Sequence, residues 1–129
     1  MRVLVIGANG TLGRACVPAL YNAQHHVVAL VRSTASFPPE LSQACDAVVE
    51  ADARNPQDIA NVLRAHRCDG IIQAGGYTPF WPWQKTDMPL LFAATLDAAE
   101  TVALERSGRE DGAISSENRI RTWMICDFG

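Results

Sequence analysis

The sequence predicts an α/β fold in which about five parallel strands form a doubly wound sheet with helices on both faces. Short apolar runs rich in Val and Ile alternate with longer stretches whose apolar residues recur every three to four positions. The first two runs are separated by a helix of the length that a right-handed parallel crossover requires. With 129 residues the chain has the length of one domain, spanning 1–129.

The strands are predicted where apolar runs of three to five residues stand between turn signals. In order, they are Arg2–Ile6, Val27–Val31, Ala47–Val49, Gly70–Gln73 and Thr122–Cys126. Because these runs are apolar throughout rather than alternating, they are typical of strands that are covered on both faces.

Helices are predicted in the intervals between these strands. The first follows a glycine-rich turn, and the second starts with Asn55 as N-cap and Pro56 at the first helical position. The longest runs from Pro89 to Arg106 with two apolar stripes, Leu91, Ala94, Thr95, Ala98 and Val102 on one face and Phe92, Leu96, Ala99 and Ala103 beside it. Because the sheet covers only one side of a helix, we expect the second stripe to be exposed.

Composition and charge exclude several partners. The net charge is −3 and the basic residues are scattered singly, so no nucleic-acid partner is predicted. Four widely spaced cysteines contain no C-x-x-C pair, which predicts no metal site and a reduced, cytoplasmic setting. We expect no membrane partner, because there is neither a signal peptide nor an apolar run long enough to span a bilayer.

The turn after the first strand reads GANGTLG, with glycines at positions 7, 10 and 13. Gly7 suits a tight turn, Gly10 leaves room for a pyrophosphate, and Gly13 lets the helix pack closely on the sheet. The helix N-terminus adds unpaired N–H groups that favour phosphate. The turn therefore predicts a dinucleotide site comprising Gly7, Asn9, Gly10, Thr11, Leu12 and Gly13. The alternative is a turn that needs glycines for steric reasons alone.

These residues resemble the short-chain dehydrogenase/reductase superfamily, specifically its extended and atypical branches, the NAD(P)-dependent epimerase/dehydratase and NmrA-like proteins. The resemblance covers nearly the whole chain through four segments, GANGTLG, HHVVALVRS, VVEADARNPQDIANVLR and CDGIIQAGG. It implies a Rossmann-type fold that binds a nicotinamide dinucleotide.

The resemblance also implies roles for residues after the second, third and fourth strands. Where the family has an acid for the ribose hydroxyls of NAD, this chain has Arg32 beside Ser33, which implies NADP rather than NAD. The alternative is a solvated surface arginine. Asp52, with Ala53, matches the aspartate that accepts from the adenine amino group, and its alternative is a helix cap, which Asn55 supplies better. The small residues that pass the ribose are matched by Ala74 and Gly75.

The family's catalytic Y-x-x-x-K motif is absent. Neither Tyr21 nor Tyr77 has a lysine four positions later, so the catalytic residues and the substrate stay open. Because the motif follows the fifth strand in the family, we expect the chain to stop before the catalytic and substrate-binding part. The segment from Trp81 to Trp83 either lines a substrate or nicotinamide pocket or packs onto the domain.

Two functions agree with these observations. The first is the NAD(P)-binding domain of an epimerase/dehydratase-like or reductase-like oxidoreductase. The second is a non-catalytic NADP-sensing regulatory or interaction protein of the NmrA-like type. For either, the resemblance implies a homodimer formed through the helix near 89–106.

Overall fold

The computed structural model describes residues 1–75, 88–108 and 119–124, and within them it contains a five-stranded parallel sheet. The strands are β1 (Arg2–Ile6), β2 (His26–Val31), β3 (Ala47–Glu50), β4 (Gly70–Gln73) and β5 (Arg121–Met124), and their order in the sheet is β3-β2-β1-β4-β5. The predicted fold class is therefore confirmed. Of the predicted fifth strand, Ile125 and Cys126 lie outside the described residues.

Helices cover both faces of the sheet. They are α1 (Thr11–Asn22), α2 (Pro39–Gln43), α3 (Pro56–His66) and α4 (Met88–Ser107). Residues of α1 and α2 pack in one apolar cluster, and residues of α3 and α4 pack in the other. The helix α2 was not predicted, because five residues are too few to show a helical period.

The central strand β1 supplies side chains to both apolar clusters. Leu4 and Ile6 join the α3 and α4 cluster, whereas Val3 and Val5 join the α1 cluster, and all four are almost completely buried. Successive side chains of a strand point to opposite faces, so a strand covered on both faces needs an unbroken apolar run. This requirement explains the composition of the run from Val3 to Ile6.

The order of the strands leaves a crevice between β1 and β4. The chain moves outward from β1 through β2 to β3 and then returns to place β4 on the other side of β1, with Ile6 opposite Gln73. Helices α1 and α4, which follow β1 and β4 in the chain, pack on opposite faces of the sheet. Sheets of this kind bind ligands at that point.

Helix α3 begins and ends on specific hydrogen bonds. The Asn55 side chain accepts from the Gln57 N–H at 3.0 Å, which confirms Asn55 as the N-cap. At the other end Arg67 adopts a left-handed conformation with φ of 51°. Arg106 of α4 donates to the carbonyl oxygens of Cys68 at 2.7 Å and Leu63 at 3.2 Å, and these hydrogen bonds attach α4 to the end of α3.

The two apolar stripes of α4 have different environments from those expected. The first stripe is buried, as predicted. The second is divided, because Ala99 and Ala103 are buried while Leu96 is 54% exposed and Phe92 is half-buried. The expectation that the whole second stripe is exposed is therefore wrong for the two alanines. Ala99 packs in the cluster that contains the apolar face of α3, so the neighbouring helix covers what the sheet does not.

The cysteines in the described ranges are Cys16, Cys45 and Cys68, and all three are free thiols. Burial raises the pKa of Cys45 and of Cys68 to about 11, so both are protonated and poor nucleophiles near neutral pH. Within the same ranges, no helix has the length and apolar character needed to cross a bilayer.

The left-handed conformation of Arg67 generates a stability prediction. Arg67→Gly should raise the free energy of unfolding by about 0.5–1 kcal/mol, because glycine adopts a positive φ without the steric cost that a Cβ carries. Arg67→Ala removes the same exposed side chain but keeps the Cβ, so its stability should stay close to that of the original chain. Urea denaturation of the three proteins measures the difference, and a glycine variant no more stable than the alanine variant would contradict it.

Candidate functional site

A cleft of about 410 Å³ opens at the carboxyl edge of the sheet. The connections after β1, β2, β3 and β4 contribute to it, together with the N-terminal part of α4. Its lining residues are Ile6, Gly7, Asn9, Gly10, Leu30, Val31, Arg32, Ser33, Ser36, Ala51, Asp52, Ala53, Arg54, Gly75 and Leu91. The volume lies in the range of small-molecule sites, and the place is the one expected for this type of sheet.

Most of the residues predicted from the sequence line this cleft. They are Gly7, Asn9, Gly10, Arg32, Ser33, Asp52, Ala53 and Gly75. The others, Thr11, Leu12, Gly13 and Ala74, do not line it. Thr11 and Leu12 belong to the first turn of α1, whereas Gly13 and Ala74 are buried behind the glycine turn.

The glycine turn leaves no space for side chains at two of its three glycines. Gly7 has φ of 76°, and a Cβ there would lie 2.5 Å from Gly75 Cα. A Cβ on Gly13 would overlap the Gly7 carbonyl oxygen and lie 2.6 Å from Ala8 Cα. A Cβ on Gly10 would lie 3.3 Å from the Gly7 oxygen and at an ordinary contact distance, 3.9 Å, from the Ala74 oxygen. Gly7 and Gly13 are thus required by packing, whereas the small size of Gly10 leaves space on the cleft side.

The start of α1 is suited to an anion. Gly10 is the N-cap, so no side chain caps the helix, and the first turn contains no acidic residue. The N–H groups of a first helical turn have no partner within the helix, and the dipole is positive there. A negatively charged group placed against Gly10 would therefore be stabilised.

The floor of the cleft is held by a buried amide that the sequence analysis did not select. Gln73 is completely buried, and its Oε1 accepts from the Gly75 N–H at 2.7 Å while its Nε2 donates to Thr95 Oγ1 at 2.8 Å. The Thr95 hydroxyl in turn donates to the Leu91 carbonyl at 2.8 Å. This network joins the end of β4 to α4. Its signal in the sequence is an amide at the end of an otherwise apolar strand.

Asp52 lies on the rim beside Arg54. Its Oδ1 accepts from the Arg54 backbone N–H at 2.9 Å and from Nε at 3.2 Å. These hydrogen bonds hold the pKa of the Asp52 carboxyl below its usual range, and the charge of Arg32 acts in the same direction. Near neutral pH Asp52 is therefore an ionised acceptor. Sequence reasoning missed Arg54, whose signal is its position two residues after the aspartate.

The wall formed after β2 is connected to the glycine turn. Arg32 is exposed and Ser33 is half-buried, and both line the cleft. Ser36, which was not predicted, also lines the cleft and accepts a hydrogen bond from the Asn9 side chain. Arg14 of α1 donates to Asn9 from the other side. Asn9 and Ser36 are 27 residues apart in the chain, so no local pattern indicates their contact.

Several predictions concern residues outside the described ranges. Tyr77 and the segment from Trp81 to Trp83 are among them, as is Cys126 at the end of the predicted fifth strand. Among residues 1–75, 88–108 and 119–124, no three His, Cys, Asp or Glu side chains come together as a metal site would require.

Comparison with known proteins gives a family match. The model of the NAD dependent epimerase/dehydratase family matches residues 3–107. A curated Streptomyces protein, 3-diazoavenalumate denitrifying reductase, is 42% identical over 72 residues, which are 56% of this chain and 22% of that protein.

Solved structures share the fold. A putative NAD-dependent epimerase/dehydratase from Bacillus halodurans is 27% identical with a TM-score of 0.61, covering 100% of this chain and 52% of that one. The complex of leucoanthocyanidin reductase with NADPH from Vitis vinifera is 21% identical with a TM-score of 0.63, covering 79% of this chain and 33% of that one. The chain thus spans about half or less of the length of these proteins.

The three glycines should respond differently to alanine. Gly7→Ala and Gly13→Ala should destabilise the fold by about 2–4 kcal/mol, because the added Cβ meets backbone that has no space to move. Gly10→Ala should change the free energy of unfolding by less than about 1 kcal/mol, since its Cβ meets one oxygen at 3.3 Å. Thermal and urea unfolding of the three variants tests this order. Equal losses at positions 10 and 13 would contradict it.

Proposed function

The chain belongs to the NAD-dependent epimerase/dehydratase family, and from this membership we propose that it is the NADP(H)-binding portion of an epimerase/dehydratase-like or reductase-like oxidoreductase. The observation that carries the proposal is the juxtaposition of an uncapped helix N-terminus, a glycine turn and Arg32 around one cleft. A nicotinamide dinucleotide phosphate has a pyrophosphate that suits the helix N-terminus and a 2′-phosphate that suits Arg32.

Each part of the cleft is assigned to one part of the cofactor. Gly7, Asn9 and Gly10 with the first turn of α1, Thr11 to Gly13, hold the pyrophosphate, and Arg32 with Ser33 holds the 2′-phosphate. Asp52 accepts from the adenine amino group, with Ala53 beside it. Ala74 and Gly75 flank a ribose. The ionised state of Asp52 supports its role, because a carboxylate accepts hydrogen bonds and does not donate them.

The reductive direction is supported by what the relatives are called. The Streptomyces relative is named as a reductase, and the Vitis vinifera reductase is described in complex with NADPH. These names support NADPH as a hydride donor for this chain also. No substrate is assigned.

The second candidate is a dinucleotide-binding regulatory protein that does not turn over its cofactor. The two candidates share the cleft and differ in chemistry, so oxidation of NADPH by the chain in the presence of aldehydes, quinones or enones would exclude the second. We place the protein in the cytoplasm, in agreement with its free cysteines.

The cofactor assignment predicts a preference that calorimetry measures. The chain should bind NADPH about tenfold to a hundredfold more tightly than NADH, because charge-assisted hydrogen bonds to the 2′-phosphate contribute about 1.5–3 kcal/mol. Arg32→Asp should reverse the preference, whereas Arg32→Gln should only abolish it. Equal affinities of the original chain for both cofactors would contradict the proposal that Arg32 binds the 2′-phosphate.

The exposed part of α4 supports a homodimer. Leu96 is 54% exposed, and Phe92, one turn before it on the same face of the helix, is half-buried. We propose that this end of α4 pairs with the same surface of a second copy, since a self-complementary contact gives a closed dimer.

The dimer proposal is tested by a charge placed on that surface. Leu96→Glu should convert the dimer to a monomer in sedimentation velocity, because an unpaired carboxylate in an apolar contact is costly. Thr101→Glu is the matched control on the same helix, since Thr101 is exposed in the polar half, and it should leave the dimer intact. A monomeric original chain would rule out the dimer.

A further inference from the structure

Asn9 connects two walls of the cleft, and Arg14 fixes its orientation. The Arg14 guanidinium donates from Nε to the Asn9 carbonyl oxygen at 3.0 Å and from Nη2 to Asn9 Oδ1 at 3.0 Å. A guanidinium has donors only, so the oxygen of the Asn9 amide must face it. The amide nitrogen of Asn9 is thereby directed away from α1.

The other side of Asn9 faces the connection that follows β2. Its Nδ2 donates to the Ser36 carbonyl oxygen at 3.3 Å and to Ser36 Oγ at 3.4 Å. Ser36 Oγ donates in turn to the Ser33 carbonyl at 3.2 Å. An unbroken chain of hydrogen bonds therefore runs from α1 through the glycine turn to the segment that carries Arg32 and Ser33.

We propose that Arg14, Asn9 and Ser36 form a specificity clamp that holds segment 32–36 where it receives the 2′-phosphate. Arg14 does not line the cleft, so it acts as a positioning residue through Asn9. This inference rests on the proposed NADP(H) function and adds residues that determine the cofactor preference. It assigns Asn9 a second role besides its place in the phosphate turn.

The clamp acts on the part of the cofactor that distinguishes NADPH from NADH. Thr34, Ala35 and Ser36 are exposed, and the buried side chain that anchors the segment is Phe37. An exposed segment of this kind loses conformational freedom when it binds a phosphate, and prior hydrogen bonding lowers that cost. The glycine turn is fixed independently by its backbone packing against Gly75 and Ala8. Loss of the clamp should therefore weaken the binding of NADPH and leave the binding of NADH almost unchanged.

The decisive variant is Arg14→Met, which keeps an unbranched apolar stem and removes every donor. Its affinity for NADPH should fall about three- to tenfold while its affinity for NADH changes less than about twofold. Arg121→Met is the matched control, because Arg121 is an exposed arginine at the start of β5, at the opposite edge of the sheet. It should leave both affinities unchanged. Calorimetric titration with each cofactor gives the ratio of the NADPH affinity to the NADH affinity.

A double variant separates positioning from direct contact. If Arg14 acts through Asn9, Asn9→Ala with Arg14→Met should weaken NADPH no more than Asn9→Ala alone. Additive losses would mean that Arg14 acts independently of the Asn9 amide and would overturn the clamp. Ser36→Ala tests the end of the clamp farthest from Arg14. It should lower the ratio of NADPH affinity to NADH affinity by only about twofold, because the Ser36 carbonyl still accepts from Asn9.

The remaining outcomes distinguish the clamp from the function on which it rests. Equal weakening of both cofactors by Arg14→Met would overturn the clamp and leave the proposed function standing. If the original chain binds neither dinucleotide, the proposed function fails and the clamp fails with it. Hydrogen exchange of the ligand-free protein gives an independent readout, since Asn9→Ala should speed exchange in segment 32–37 and leave β1 and β4 unchanged. Unchanged exchange there would overturn the clamp.

Discussion

The carboxyl ends of β1 and β4 approach each other so closely that Gly7 and Gly75 meet backbone to backbone. Parallel pairing of Ile6 with Gln73 brings the two ends to the same edge, and the Gln73 amide then holds the Gly75 N–H in place. Because Gln73 and Thr95 are completely buried, this polar network is shielded from water and its hydrogen bonds are hard to replace. The glycine turn, the start of α1 and the attachment of α4 all depend on this approach.

Charge is distributed differently around the cleft from the rest of the chain. The net charge of the molecule is −3, but Arg32 and Arg54 both line the cleft, and Asp52 is the one carboxylate among its lining residues. Hydrogen bonds from Arg54 lower the pKa of that carboxyl, so it is an ionised acceptor beside two guanidinium groups. The cleft therefore surrounds a bound ligand with more positive than negative side-chain charge, although the net charge of the molecule is negative.

Sequence reasoning succeeded where the cause of a structure is local. Unbroken apolar runs predicted the strands, and Asn55 with Pro56 predicted the start of α3. It failed where the cause is tertiary. The short helix α2 has no period to detect, and Ala99 is buried because α3 happens to pack there. The glycine spacing indicated Gly7 and Gly10, whereas Ser36 and Arg54 line the cleft only because the connections after β2 and β3 meet the glycine turn.

The cleft thus has two parts that differ in how they are stabilised. Its inner part, around Gly7 and Gln73, consists of buried backbone and a buried amide, where a substitution disturbs the fold itself. Its outer part contains the exposed side chains of Arg32 and Ser36, and Ser36 accepts a hydrogen bond from Asn9 of the glycine turn. Exposed side chains can be exchanged with small effect on stability. A fold built in this way can change the cofactor that it prefers while the scaffold that binds the shared phosphates stays constant, because the two properties reside in different residues.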